Sequence, residues 1–247
     1  MGAPGEPVLA IDAGNTRIKW GVHDGRGWAM TGAVATADAA SLAAAWHGAT
    51  LARRAIASNV AGPEVAAHLA RACADRGIAL EVIRSVAAQC GVTNAYADPA
   101  QLGTDRWAAL VGARAIAADA VLVVMAGTAL TIDALAAGGR FMGGVIVPGP
   151  AMMRRSLDRG TAGLRLTEGR FAPLPRSTPD AITSGAIQAA AGAVERMAAA
   201  MRHSGVEPAR LLLSGGAAGE LQPHLHMPAA LHENLVLDGL ACIARES

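Results

Sequence analysis

Apolar and polar positions fall into the same order twice along this chain. From Val8 the stretch VLAIDAGNTRIKWGVHDGRGW gives an apolar run, a polar break around a glycine, a second run and a Gly-rich turn. From Val121 the stretch VLVVMAGTALTIDALAAGGRF repeats that plan. Aligning Val8 on Val121 brings Gly14 onto Gly127, Gly25 onto Gly138 and Trp28 onto Phe141. Short apolar runs punctuated by glycine predict strands. Each copy therefore predicts a three-stranded meander, with third strands from Trp28 to Val34 and from Met142 to Val147.

The segments after the two meanders are also alike. In the first half, RAIASNV (Arg54 to Val60) predicts a buried strand, Glu64 to Asp75 a helix behind Pro63, and Ala79 to Ile83 a further strand. In the second half, a long helix is predicted from about Pro179 to Arg202. RLLLSGG (Arg210 to Gly216) then gives a strand ending in a glycine turn, and Leu235 to Arg245 a closing helix. Strands alternating with helices predict an α/β fold with mixed sheets covered by helices. The repeat predicts two similar halves, residues 1–116 and 117–247, joined near Ile116 to Ala120.

Composition narrows the function classes. Apolar residues make up 52% of the 247 and charged residues 17%, below the roughly 25% usual in soluble domains. The net charge of +1 and the 3% aromatic content favour neither a polyanion surface nor a base-stacking platform, so no nucleic-acid partner is expected. Cys73, Cys90 and Cys242 form no C-x-x-C pair, which argues against a disulfide framework and a zinc site. No apolar stretch is long enough to span a membrane, and Met1 to Pro7 lacks the apolar run of a signal peptide. The expectation is a reduced, cytoplasmic protein without a membrane partner.

The first turn carries more than a hairpin needs: a carboxylate, a hydroxyl and Lys19, the only lysine in the chain. A turn directly after a buried strand aims several backbone N–H groups at one point, which suits phosphate oxygens. Gly14 and Gly127 would let a ligand approach the backbone, and Asn15, Thr16 and Thr128 add donors. Asp12 could hold a hydrated Mg²⁺, and Lys19 could reach a transferring phosphate. Asp-Ala-Gly-Asn-Thr also reads simply as a good turn. The second copy and the Ser214-Gly215-Gly216 turn favour the ligand reading. P-loop, dinucleotide-binding and nucleophile-elbow patterns are all absent from the sequence.

Six stretches, in this order, carry a resemblance: DAGNTRIKW (Asp12 to Trp20), YADPAQLGTDRWAAL (Tyr96 to Leu110), AGTALTID (Ala126 to Asp133), GGVIVPG (Gly143 to Gly149), TSGA (Thr183 to Ala186) and LLLSGG (Leu211 to Gly216). Together they resemble type III pantothenate kinases, within the actin-like, sugar-kinase-like ATPase superfamily. The resemblance implies two ribonuclease-H-like halves with a cleft between them. It also implies transfer of the γ-phosphate of ATP to the hydroxyl of pantothenate, the first step of coenzyme A biosynthesis.

By that resemblance, ATP with Mg²⁺ would be bound by Asp12, Gly14, Asn15, Thr16, Arg17, Lys19, Gly127 and Thr128. Pantothenate would be bound by Tyr96, Gly103, Thr104, Asp105, Arg106 and Thr183, with Asp105 as general base. A homodimer is implied, as is a monovalent cation, K⁺ or NH₄⁺. The family often has Asp two residues before the glycine of Gly-Thr-Ala. Met125 stands there, and a thioether is a poor K⁺ ligand, which puts that site in question; Asp133 is the acidic residue that would have to replace it. Relatives described as accessory factors for gene expression also resemble this sequence, so a regulator without catalysis is the alternative.

Several residues have a second reading. Thr104 and Asp105 equally suit the start of a helix running to Ile116, where the helix dipole favours a carboxylate. Arg106 suits either a two-pronged clamp on the pantothenate carboxylate or a surface ion pair. Thr183 could bond its own helix. Asn59 fits a turn or a site. His224 and His226 suit a solvated loop better than a metal pair, and Arg154, Arg155 and Arg159 a solvated helix face.

Overall fold

The run that opens the chain forms a strand because its side chains alternate between two covered faces. In the computed structural model, which describes residues 6–46, 52–161, 164 and 168–246, β1 (Val8–Ala13), β2 (Arg17–His23) and β3 (Trp28–Ala35) form the first antiparallel meander. Leu9, Ile11, Ile18, Trp20 and Val22 share a core with Leu42 of α1 (Leu42–Ala45) and with Val65, Leu69 and Cys73 of α2 (Pro63–Ala74). β4 (Arg54–Asn59) lies parallel to β1, and β5 (Ala79–Val82) parallel to β4. The sheet order is β3-β2-β1-β4-β5. A hairpin of β6 (Ala88–Gln89) and β7 (Val92–Asn94) then leads to α3 (Thr104–Ile116).

The second copy builds the same order. β8 (Val121–Ala126), β9 (Ala129–Leu135) and β10 (Arg140–Pro148) form the meander. The chain continues through α4 (Pro150–Gly160) and α5 (Thr178–His203) to β11 (Arg210–Ser214), α6 (Ala218–Leu221) and β12 (Ala229–Leu231). β11 is parallel to β8 and β12 parallel to β11. Leu122, Val124, Leu130 and Ile132 pack with Ala190, Val194, Ala198 and Met201 of α5. Ser177 starts α5 by accepting a hydrogen bond from the Asp180 backbone N–H on its Oγ at 3.3 Å.

The last helix, α7 (Leu235–Glu246), comes after the second sheet in sequence but packs in the first unit. The two compact units are residues 1–116 with 234–247, and residues 117–233. α7 lies against α3, β1 and β4, on the sheet face opposite α1 and α2. The contact with α3 is close enough that a Cβ at Gly239 would overlap the Ala108 carbonyl oxygen, and one at Gly112 the Leu235 carbonyl oxygen. The Glu246 carboxylate accepts a hydrogen bond from the Cys90 backbone N–H at 3.1 Å, holding the β6–β7 turn. Among the described residues no helix is long and apolar enough to cross a membrane.

Candidate active site

Strand register lines up the first group of predicted residues. Across the antiparallel β1–β2 pair, Asp12 is opposite Lys19; across the parallel β1–β4 pair, it is opposite Ser58. Residues level with one another on adjacent strands share a face, so Lys19, Asp12 and Ser58 form one polar row. Asp12 and Ser58 both sit one residue before the C-terminal end of their strands. In open α/β sheets, ligands gather outside the carboxyl ends of parallel strands.

The turn beyond Asp12 is closed by its own backbone. The Gly14 N–H donates to the Arg17 carbonyl at 3.1 Å, and the Thr36 hydroxyl donates to the Gly14 carbonyl at 2.7 Å. Asn15, Thr16 and Arg17 lie exposed at its tip. The Asn59 side chain caps its own turn instead, accepting from the Ala61 N–H at 3.0 Å and donating to the Gly62 carbonyl at 3.0 Å.

The start of α3 brings in the second group. The Thr104 hydroxyl bonds that of Ser58 at 2.8 Å, tying the helix to β4. Asp105 Oδ1 accepts from the Arg106 backbone N–H at 2.8 Å, so the carboxylate stays at the helix start rather than extending into solvent. Gly103 leaves room there: a Cβ would stand 2.7 Å from that same oxygen. Arg106 is only 4% exposed. Its guanidinium donates to Tyr96 Oη at 3.2 Å and lies 5.9 Å from the ring centre, within cation–π range. Tyr96 is itself placed by Asn94, whose Oδ1 accepts from the Tyr96 N–H at 3.0 Å.

The two carboxylates feel one another. Burial, the neighbouring Asp105 charge and, in the opposite sense, Lys19 act on Asp12, with burial the largest; its pKa rises from 3.8 to about 7. In the unfolded chain Asp12 loses its proton near the ordinary value, and in the folded, ligand-free protein only near neutrality. Between those values the folded state holds the extra proton. The stabilisation this gives is complete below the unfolded value and is lost as pH rises through about 7. Urea unfolding of wild type and Asp12→Asn should therefore nearly coincide at pH 4. At pH 8 the variant should be the more stable, by up to about 4 kcal/mol. A difference that does not change with pH would contradict this origin.

Gly127, Thr128 and Thr183 belong to the second unit. The Gly127 N–H donates to the Ala129 carbonyl at 3.0 Å, closing the β8–β9 turn one residue tighter than its counterpart at Gly14. The Gly149 N–H donates to the Thr128 carbonyl at 2.9 Å, and the Ala217 N–H to the Ala126 carbonyl at 2.9 Å. A Cβ at Gly149 would overlap the Gly127 carbonyl oxygen, and one at Gly215, whose φ is +99°, the Ala126 carbonyl oxygen. Three glycine turns thus meet backbone to backbone. Thr183 is buried in α5, its hydroxyl beside Gly169. His224 stacks on Phe171 with ring centres 3.9 Å apart, and the His226 N–H donates to Glu195 Oε1 at 3.0 Å. Arg154 pairs with Glu220 at 2.7 Å.

Residues 8–200 match the family profile described as type III pantothenate kinase. The chain belongs to the type III pantothenate kinase family. A type III pantothenate kinase of Aromatoleum aromaticum is 51% identical over 239 residues, covering 97% of this chain and 98% of its own. One of Nitrosospira multiformis is 46% identical, covering 97% of this chain and 92% of its own. A solved structure of a candidate 2-dehydro-3-deoxygalactonokinase from Sinorhizobium meliloti superposes with a TM-score of 0.66 at 17% identity, covering 97% of this chain and 98% of its own. That likeness is one of fold: two mixed α/β halves of the ribonuclease-H-like kind. As a member of the pantothenate kinase family the protein is a phosphotransferase acting on an alcohol group, and it phosphorylates pantothenate in coenzyme A biosynthesis. Membership does not favour the regulator reading.

Proposed function

We propose that the reaction is centred on the Asp12–Asp105 pair, with Asp105 as the general base. The observation that supports this is electrostatic: after burial, the Asp105 charge is the next cause that raises the pKa of Asp12, which supports a strand-end carboxylate within electrostatic reach of the one at the start of α3. Phosphoryl transfer needs positioning and charge neutralisation more than covalent chemistry. The pantothenate hydroxyl attacks the γ-phosphorus of ATP, its proton passes to Asp105, and the bond to the bridging oxygen of ADP breaks. Asp12, Gly14, Asn15, Thr16, Arg17, Lys19, Gly127 and Thr128 are assigned to ATP. Tyr96, Gly103, Thr104, Arg106 and Thr183 are assigned to pantothenate.

The residues fit Mg²⁺. A partly buried carboxylate beside a second one suits an ion that takes its remaining ligands from phosphates and water. Asp12 would hold it, and the ion would neutralise charge on the phosphates. The residues do not fit the monovalent cation. Met125 offers a thioether, and Asp133, on the same sheet face, is level with Val123 rather than with Met125. No step is assigned to K⁺ or NH₄⁺. A cytoplasmic homodimer completes the reading, supported by the family resemblance and by exposed apolar side chains at Ile146 and Met152.

Arg106→Met tests the pantothenate assignment. Methionine fills much of the same buried space, and removing a two-pronged charge contact should raise the KM for pantothenate about 100-fold. The KM for ATP should stay within twofold. An unchanged pantothenate KM would move the carboxylate site elsewhere.

A further inference from the structure

Ser58 is fully buried in a strand whose other buried residues, Ala55, Ile56 and Ala57, are all apolar. A buried hydroxyl is costly unless it is hydrogen-bonded, and its partner therefore matters. That partner is the Thr104 hydroxyl at 2.8 Å, one residue before Asp105. On the sheet, Ser58 is level with Asp12 on the neighbouring parallel strand. It thus stands at the junction between the strand layer that carries one carboxylate and the helix start that carries the other.

We infer that Ser58 is a positioning residue for phosphoryl transfer, acting through Thr104 to fix where α3 begins relative to β1 and so to set the spacing of Asp105 and Asp12. This rests on the reading of Asp105 as base. The physical reason is leverage. The first turn of a helix frays easily, because its backbone N–H groups lack partners within the helix. A hydroxyl pair at its first residue anchors it to the buried strand β4. An ångström of displacement between reacting groups can cost about 100-fold in rate.

The test is a double-mutant cycle on the full-length protein, monitored by ADP release with ATP varied at saturating pantothenate. Ser58→Ala should lower kcat about 10-fold or more, leave the KM for ATP within twofold, and shift the thermal midpoint by only a few degrees. Thr104→Val, which removes the other hydroxyl of the pair, should lose kcat as well. In the Thr104→Val background, Ser58→Ala should cost nothing further.

Wild-type kcat in Ser58→Ala would overturn the inference. So would losses that multiply in the double variant, since a packing role independent of Thr104 predicts that. Asp105→Asn run alongside separates the two claims: if it retains turnover, the base assignment itself fails, whatever Ser58 does.

Discussion

Asp105→Asn is expected to lower kcat for pantothenate phosphorylation by about 100- to 10,000-fold, the range for loss of a positioned general base. The fold should survive. Asn has the same shape, and its side-chain oxygen can still accept the hydrogen bond that Asp105 takes from the Arg106 N–H at 2.8 Å. Arg106 and Tyr96 keep their contact, so the KM for pantothenate should change by no more than a few fold. Alanine would be the poorer test, because it also removes the local bond at the start of α3. Steady-state ADP release gives kcat, and a thermal melt shows whether the fold is retained. A variant that turns over within threefold of wild type would mean that the proton goes elsewhere and that Asp105 only begins the helix.

How much of the molecule is legible in its sequence differs from residue to residue. The two meanders can be read because glycine turns recur at matched positions, and a turn after an apolar run leaves few alternatives. The later parallel strands can be read as strands, but the shared order β3-β2-β1-β4-β5 and β10-β9-β8-β11-β12 rests on pairings between residues far apart in sequence. The Asp12–Lys19 pairing depends on the length of the Gly14 turn, which fixes the register; one residue more or less would put Lys19 on the other face.

Other features carry little signal. β6 and β7 are two and three residues long, too short for any periodicity, and only Cys90-Gly91, with φ of 49° and 73°, marks the turn. Ser58 reads as one polar residue in an apolar strand, and its importance depends on a partner 46 positions away. The closing helix is legible as an amphipathic helix, but its apolar stripe does not say which sheet it covers. That choice is made by small residues at one crossing.

Gly239→Ala is expected to destabilise the protein by about 3 kcal/mol or more, at the upper end for overpacking, because the added methyl would run into backbone rather than into a movable side chain. The Ala108 carbonyl oxygen is in the way, and the Gly112 backbone nitrogen stands only 3.0 Å from the same point. Relief requires α7 to move off α3, which uncovers Leu235, Leu240 and Ile243, all nearly fully buried. The apparent thermal midpoint should fall by about 6–12 °C for a chain of this size. Gly192→Ala in α5 is the matched control. It is also a helical glycine, but nothing lies within 4 Å of its added Cβ. Helix propensity alone then predicts a gain of about 1 kcal/mol. Opposite signs for one chemical change would show that the α3–α7 crossing, not helix propensity, sets the stability of the first unit. Because α3 also carries Thr104, Asp105 and Arg106, the surviving folded fraction of Gly239→Ala should be slower as well as scarcer. If both variants are equally stable, α3 and α7 are not held at the close approach that Gly239 and Gly112 define.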